Sequence, residues 1–158
     1  MTKKGRVSGD EEILARNRRA GHEYHLLDRY EAGVVLSGTE VKSCRAGKIN
    51  VQDAYVQIKR GEAFLINAHV SPYSQGHRDN PDPERTRKLL LHAREIRKLE
   101  READAGGTTI VPLRVYLKAG RVKIELAVAR GRKTHDKRDA IREKDARREM
   151  ERARGARR

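Results

Sequence analysis

A mainly β protein is the fold class that the sequence predicts: a small closed antiparallel barrel with about three short helices and a basic C-terminal tail, disordered or marginally helical when free. Three observations lead there. Segments 111–117 and 122–128 alternate apolar and polar residues on either side of Ala119-Gly120, the pattern of a half-buried hairpin. Segments 54–58 and 63–70 do the same around Arg60-Gly61-Glu62, and a further strand begins at EYHLLDRYE, 23–31, and continues into GVVL. Four or five strands in hairpins would leave open edges if the sheet were flat, and closure removes them.

The elements follow in chain order. The first dozen residues are polar and without period, which predicts a flexible arm over 1–12 leading into ILARNRRAGHEY. Ser37-Gly38-Thr39-Glu40 is a capping-box pattern and Gly47 can close the same helix, so a short helix is expected over 38–46, burying Val41 and Cys44. In the hairpin around Gly61, a three-residue loop sets Ile58 opposite Phe64 and keeps Phe64, Ile66, Ala68 and Val70 on one inner face. A two-residue loop would instead set Ile58 opposite Ala63 and turn Phe64 outward, so the longer loop is preferred. Asp82-Pro83 reads as the N-terminus of a longer helix running through ERTRKLLLHAREIRKLEREA. Leu89, Ala93, Ile96, Leu99 and Ala103 would form its buried stripe, with Leu90 and Leu91 outside it. In the last hairpin Val111, Leu113, Val115 and Leu117 are expected to face Val128, Leu126, Ile124 and Val122, all on one side. Strands in this order, with helices plugging the ends, describe an oligonucleotide-binding-like barrel over residues 13–130.

Charge narrows the function. The 158 residues suffice for one domain with a core, and 37 basic against 23 acidic residues leave a net charge of +14. Such an excess points to a polyanionic partner, with nucleic acid foremost. A membrane surface is disfavoured, because there is no apolar span, no signal-peptide pattern in MTKKGRVSGDEE and no tryptophan anchor. A cytoplasmic monomer is expected. Residues 130–158 hold 13 basic and six acidic residues, half the net charge, and only Ile141 and Met150 as large apolar residues. A segment of that composition needs a polyanion to organise it.

The candidate chemistry is recognition. Tyr55 on one hairpin, and Arg114, Tyr116, Lys118, Arg121 and Lys123 on another, interleave rings with cations as base stacking and phosphate pairing require, and equally as a solvated strand face would. Asn17, Arg19, His22 and Tyr24 offer amide, guanidinium, imidazole and phenol within eight residues. Glu31 could accept from a base amino or imino group, or pair with an arginine, the commoner fate of such an acid. Catalysis is not expected. His135-Asp136 resembles a phosphohydrolase pair without its further ligands, and the other histidines have no i, i+4 spacing. AGK at 46–48 lacks the rest of a phosphate loop, and the single Cys44 reads as a small buried residue. No metal or cofactor is expected.

ARNRRAGHEY, YEAGVVLSGTEVKSCRAGKINVQDAYV, GEAFLINAHVSPY, DPERTRKLLL and ARGRKTHDKR, in this order and spacing, resemble the SsrA-binding (small protein B) family of bacterial ribosome rescue. The resemblance implies a non-enzymatic adaptor that binds the tRNA-like domain of transfer-messenger RNA. It further implies delivery to stalled ribosomes, with elongation factor Tu and alanyl-tRNA synthetase engaged through the RNA. Position by position, Asn17, His22, Tyr24, Glu31, Tyr55, Leu90 and Lys123 match the RNA-facing set, with Arg19 in the same segment. His135, Asp136, Lys137 and Arg138 match the ribosome-facing motif. Together with Arg130, Arg132, Lys133, Ile141 and Met150 they place the 131–158 tail, helical on the ribosome, in the decoding centre and mRNA channel of the small subunit. The alternative is a structural ribosomal or general RNA-binding protein.

Overall fold

A computed structural model describes residues 11–74, 80–131 and 144–152. In chain order the elements are β1 (Glu11–Arg16), α1 (Ala20–Glu23), β2 (Tyr24–Val34), α2 (Gly38–Arg45), β3 (Ile49–Asn50), β4 (Tyr55–Lys59), β5 (Glu62–Ile66), β6 (His69–Val70), β7 (Arg87–Leu90), α3 (Ala93–Asp104), β8 (Thr108–Lys118) and β9 (Arg121–Gly131). The main sheet runs β1-β8-β4-β5-β7-β2-β9, and β9 also pairs with β8, so the sheet closes on itself. All its pairings are antiparallel. The predicted barrel is therefore present. Its interior is filled by Ala32, Val56, Leu65, Leu89, Ile110, Val115, Ile124 and Leu126, with Leu99 of α3 contributing to the same cluster.

The elements fixed by local chemistry form as expected. Ser37 Oγ accepts from the Glu40 N–H and the Glu40 carboxylate accepts from the Ser37 N–H at 3.0 Å, a complete capping box for α2. Gly47, at φ 74°, ends that helix. Cys44 is fully buried, whereas Val41 is only half-buried. The last hairpin turns at Ala119-Gly120, both at positive φ, with Leu117 opposite Val122 and Val115 opposite Ile124.

Three expectations are corrected. The β4–β5 loop has two residues, Arg60 and Gly61, at φ 54° and 73°, and Ile58 faces Ala63. Phe64 thus pairs with Gln57 on the outer face, while Ala63 and Leu65 point inward. The inner face resumes at Ala68 and Val70 because Asn67, at φ 61°, breaks the strand and resets the alternation.

The second correction concerns 82–92. Asp82 does accept from the Glu84 N–H at 2.9 Å, but it caps only a turn. Residues 87–90 form β7, with Arg87 and Leu89 buried and Lys88 and Leu90 exposed. The strand slots between β5 and β2, where both of its edges are paired, a gain that local helix propensity cannot match. The helix starts only at Ala93; Ile96 and Leu99 are its buried residues, and Leu91 packs against the core from outside it.

Third, the β8–β9 register shifts between Pro112 and Arg114. Pro112 then faces Leu126 and Ile110 faces Val128. Val111 and Leu113 leave the main core for a second cluster with Ala20, Tyr24, Leu26 and Ala129. A proline lacks an N–H for the ladder, and a bulge is where a strand tolerates one.

Beyond the barrel, residues 144–152 form a fourth helix, α4, with every side chain exposed, Met150 at 64%. Most of the tail expectation, Arg132, Lys133, His135, Asp136, Lys137, Arg138 and Ile141, lies outside the described residues, as do residues 1–10 of the expected 1–12 arm; Glu11 and Glu12 are not arm but the start of β1, because pairing with Lys118 and Leu117 of β8 captures them.

Candidate nucleic-acid interface

Long β2 carries both candidate clusters, one at each end. Tyr24 starts the strand and Glu31 lies seven positions along it, about 20 Å at the rise of a β-strand.

At the far end, Gly33 pairs with Leu90 of β7 on one side and Lys123 of β9 on the other, so Leu90, Gly33 and Lys123 form one row across three strands. A Cβ on Gly33 would lie 3.3 Å from the Leu90 Cβ and 3.7 Å from the Lys123 ammonium. Glycine is what lets an apolar side chain and a cation meet here. Leu90 is 54% exposed. It lines a groove of about 270 Å³ with Val34, Leu36, Val41, Val122 and Lys123. Leu90 therefore points out of the core.

Glu31 stands two residues before Gly33, its side chain 40% exposed. The Tyr116 hydroxyl donates to its Oε2, and the Lys118 ammonium lies 3.2 Å from the same oxygen. Burial opposes ionisation of Glu31, yet the hydrogen bonds from Tyr116 and Lys118 and the charges of Lys118 and Lys123 prevail, holding its carboxyl below the usual range. Burial, reinforced by the hydrogen bond and charge of Glu31, pushes the Tyr116 phenol well above its ordinary value. Tyr116 therefore stays a donor. It is 1% exposed, and the Arg114 guanidinium stacks over its ring at 4.3 Å. Arg114 is in turn held by Glu11 at 3.3 Å and Glu125 at 3.4 Å. Of the rings and cations that looked available on this strand, Tyr116 and Arg114 are committed internally. Lys123 enters no ion pair among the described residues.

At the other end, Asn17 is buried. Its Nδ2 donates to the Pro112 carbonyl at 2.9 Å and more weakly to that of Val51, and its Oδ1 accepts from the Ala20 N–H at 3.2 Å. It thereby ties α1 to the β8 bulge. Arg19 is exposed and bridges Glu23 and Asp53, and His22 is exposed on α1. Tyr24 and Tyr55 line a second groove of about 330 Å³ with Gln52, Asp53 and Thr109, and Tyr55 is 39% exposed. The last pair of the β2–β9 ladder is Tyr24 with Gly131, next to His25 with Arg130. The C-terminal segment therefore leaves the barrel beside this second groove, with Arg130 exposed at its base.

Apart from both clusters is a buried feature that the sequence pattern does not reveal. Glu40 and Arg87 are buried together: the Arg87 Nε donates to Glu40 Oε2 at 2.8 Å, and its other nitrogens donate to the carbonyls of Ala68, Arg85 and Pro83, each at 2.9 Å. Arg85 reaches the same carboxylate. Burial raises the Glu40 pKa, but the donors from Arg85, the Ser37 N–H and Arg87 outweigh it and hold the group below the usual carboxylate range. Glu40 of the SGTEVKS segment and Arg87 of the TRKLLL segment are thus structural.

Burial raises the Cys44 thiol to about 11, so it carries no thiolate at neutral pH. Among the described residues, no group of three or more His, Cys, Asp or Glu is placed to hold a metal ion. None of the described helices is long and apolar enough to cross a membrane.

Comparison with known proteins shows the family. The family model of SmpB protein matches residues 14–156. The chain belongs to the SmpB protein family. The SsrA-binding protein of Lacticaseibacillus casei is 51% identical over 157 residues, 99% of both chains. That of Geobacillus thermodenitrificans is 51% identical over 145 residues, 92% of this chain and 94% of the relative. A solved structure described as "tmRNA-SmpB: a journey to the center of the bacterial ribosome" is 44% identical, with a TM-score of 0.67, over 81% of this chain and 94% of that one. Glu40, Gly33 and Arg87 all lie inside the stretch the SmpB family model spans.

Proposed function

We propose that this SmpB-family chain binds the tRNA-like domain of transfer-messenger RNA and delivers it to stalled ribosomes for trans-translation. The barrel, 13–130, holds the RNA. The basic segment 131–158, helical on the ribosome, enters the vacant decoding centre and mRNA channel of the small subunit. The observation that carries the reading is the Leu90–Gly33–Lys123 row beside Glu31, which brings three positions of the implied RNA-facing set into one patch. Lys123 supplies a cation for phosphate, Leu90 an apolar surface for a base or ribose, and Glu31 an acceptor for a base N–H or a 2′-hydroxyl. Tyr24 and Tyr55 offer ring faces at the other groove. Arg19 and His22 flank it, and Asn17 fixes the α1 segment that presents them.

In this reading the protein is a cytoplasmic monomer and an adaptor without catalytic residues, cofactor or metal. Elongation factor Tu and alanyl-tRNA synthetase reach it through the RNA. Arg130, Arg132, Lys133, His135, Asp136, Lys137 and Arg138 open the ribosome-facing segment, with Ile141 and Met150 as its apolar contacts.

The decisive experiment compares binding to the isolated tRNA-like domain with binding to bulk tRNA at physiological salt. A clear preference for the former is expected, and equal affinities would favour a general RNA-binding protein. Truncation after Arg130 should preserve that binding and abolish peptide tagging on stalled ribosomes.

A further inference from the structure

We propose that Tyr116 is a positioning residue for RNA recognition: its buried hydroxyl fixes which oxygen of the Glu31 carboxylate remains open to the RNA. The inference rests on the reading that Glu31 contacts RNA, and goes beyond it by assigning a role to a side chain that cannot touch RNA itself.

The geometry is specific. A carboxylate on an exposed strand face ordinarily rotates among several orientations and spends its lone pairs on water. Here the Tyr116 hydroxyl donates to Oε2, and the Lys118 ammonium is nearer Oε2, at 3.2 Å, than Oε1, at 3.4 Å. Oε1 is left as the less committed acceptor. The ring that carries the hydroxyl cannot swing away, because it is 1% exposed and lies under the Arg114 guanidinium at 4.3 Å. Arg114 is clamped in turn by Glu11 from β1 and Glu125 from β9. Opposite Tyr116 on the ladder is Lys123, so the phenol sits under the point where carboxylate and phosphate-seeking cation come together.

Two consequences follow for recognition. A carboxylate held ionised and fixed accepts hydrogen bonds only. It therefore selects for base amino or imino groups and ribose hydroxyls, and against a phosphate or carbonyl at the same place. Pre-orientation also removes part of the entropic cost of ordering Glu31 on binding. The chain Glu11–Arg114–Tyr116–Glu31 thus links β1, an element remote from the patch in sequence, to the RNA-facing surface.

The test is a double-mutant cycle measured as affinity for the tRNA-like domain of transfer-messenger RNA, using the full chain. Tyr116→Phe removes the hydroxyl and keeps the ring under Arg114. It should weaken binding about tenfold, the scale of a hydrogen bond to a charged group. In a Glu31→Gln background the same change should cost almost nothing, since Tyr116 acts only through Glu31. Replacing Tyr116 by 3-fluorotyrosine retains shape and hydroxyl while strengthening the donor, so it remains informative if the phenylalanine variant folds poorly. It should shift affinity only where Glu31 is present.

Equal losses from Tyr116→Phe in both backgrounds would overturn the inference. So would a silent Tyr116→Phe beside a Glu31→Gln that weakens binding, which would leave the RNA role of Glu31 standing. A silent Glu31→Gln would remove that role, and the inference with it.

Discussion

Glu40 and Glu31 are the same residue type nine positions apart, each answered by a basic or phenolic donor, yet they serve opposite ends. Glu40 is 2% exposed and surrounded by Arg85, Arg87 and the Ser37 N–H. Every acceptor direction is taken, so it can do nothing but hold α2 to β7 and the 83–85 turn. Glu31 is 40% exposed and receives donors chiefly on one oxygen. Saturation separates a structural carboxylate from one that can still accept a further donor. Sequence type and pKa direction do not, since both groups are held below the usual range.

The contrast can be broken in three places. The largest expected effect is at Arg87. Arg87→Ala leaves Glu40 buried beside only its partly exposed second arginine, and breaking a buried pair in this way costs about 3–5 kcal/mol. Urea unfolding measures it, and a loss below about 1 kcal/mol would mean that the pair is not structural.

Next comes the pH dependence attached to Glu40. Its folded-state pKa lies below the unfolded value, so its contribution is complete above the ordinary carboxylate range and is lost as pH falls through the depressed value. Glu40→Gln should therefore lower stability near neutrality by about 2 kcal/mol and flatten the decline on acidification. Parallel stability curves for the two proteins from pH 7 to pH 3 would refute this.

The smallest effect on stability is expected at Glu31. Glu31→Gln should shift it by no more than about 0.5 kcal/mol. The same substitution should weaken binding of the tRNA-like domain about tenfold, as read by fluorescence titration. A large stability loss with unchanged affinity would make Glu31 a second Glu40.

What could be read in advance follows the range of the interactions. The Ser37–Glu40 capping box and the Ala119-Gly120 turn are set by neighbours in sequence and are legible there. The 87–90 strand was not, because its fate depends on two distant edges, β5 and β2, while its composition is that of a helix. Arg87 was the harder case, since a core arginine makes sense only once Glu40 and three carbonyls are known to surround it.

Phe64 misled for a related reason. Assigning the largest apolar residue to the inner face fixed the loop one residue too long, although a positive-φ pair at Arg60-Gly61 is the commoner hairpin turn. Two signals were present and unused: Pro112 inside a strand pattern marks the bulge that releases Leu113, and Gly33 inside another marks the close approach of Leu90 and Lys123. At the candidate interface the residue types of Glu31, Leu90 and Lys123 were legible but not their meeting. Asn17 was legible as polar but not as the internal tie it is.

The end of the β2–β9 ladder, where Gly131 pairs with Tyr24, fixes the origin of a tether. Lys144, where α4 begins, lies 13 positions beyond Gly131, so chain length alone caps their separation at about 45 Å. In the proposed function, docking of the barrel would hold α4 within that distance of Gly131, making its encounter with a nearby polyanion an intramolecular event governed by effective concentration. Inserting a flexible spacer after Gly131 would dilute the segment without altering any contact it makes, turning the length of the tether into a timing element.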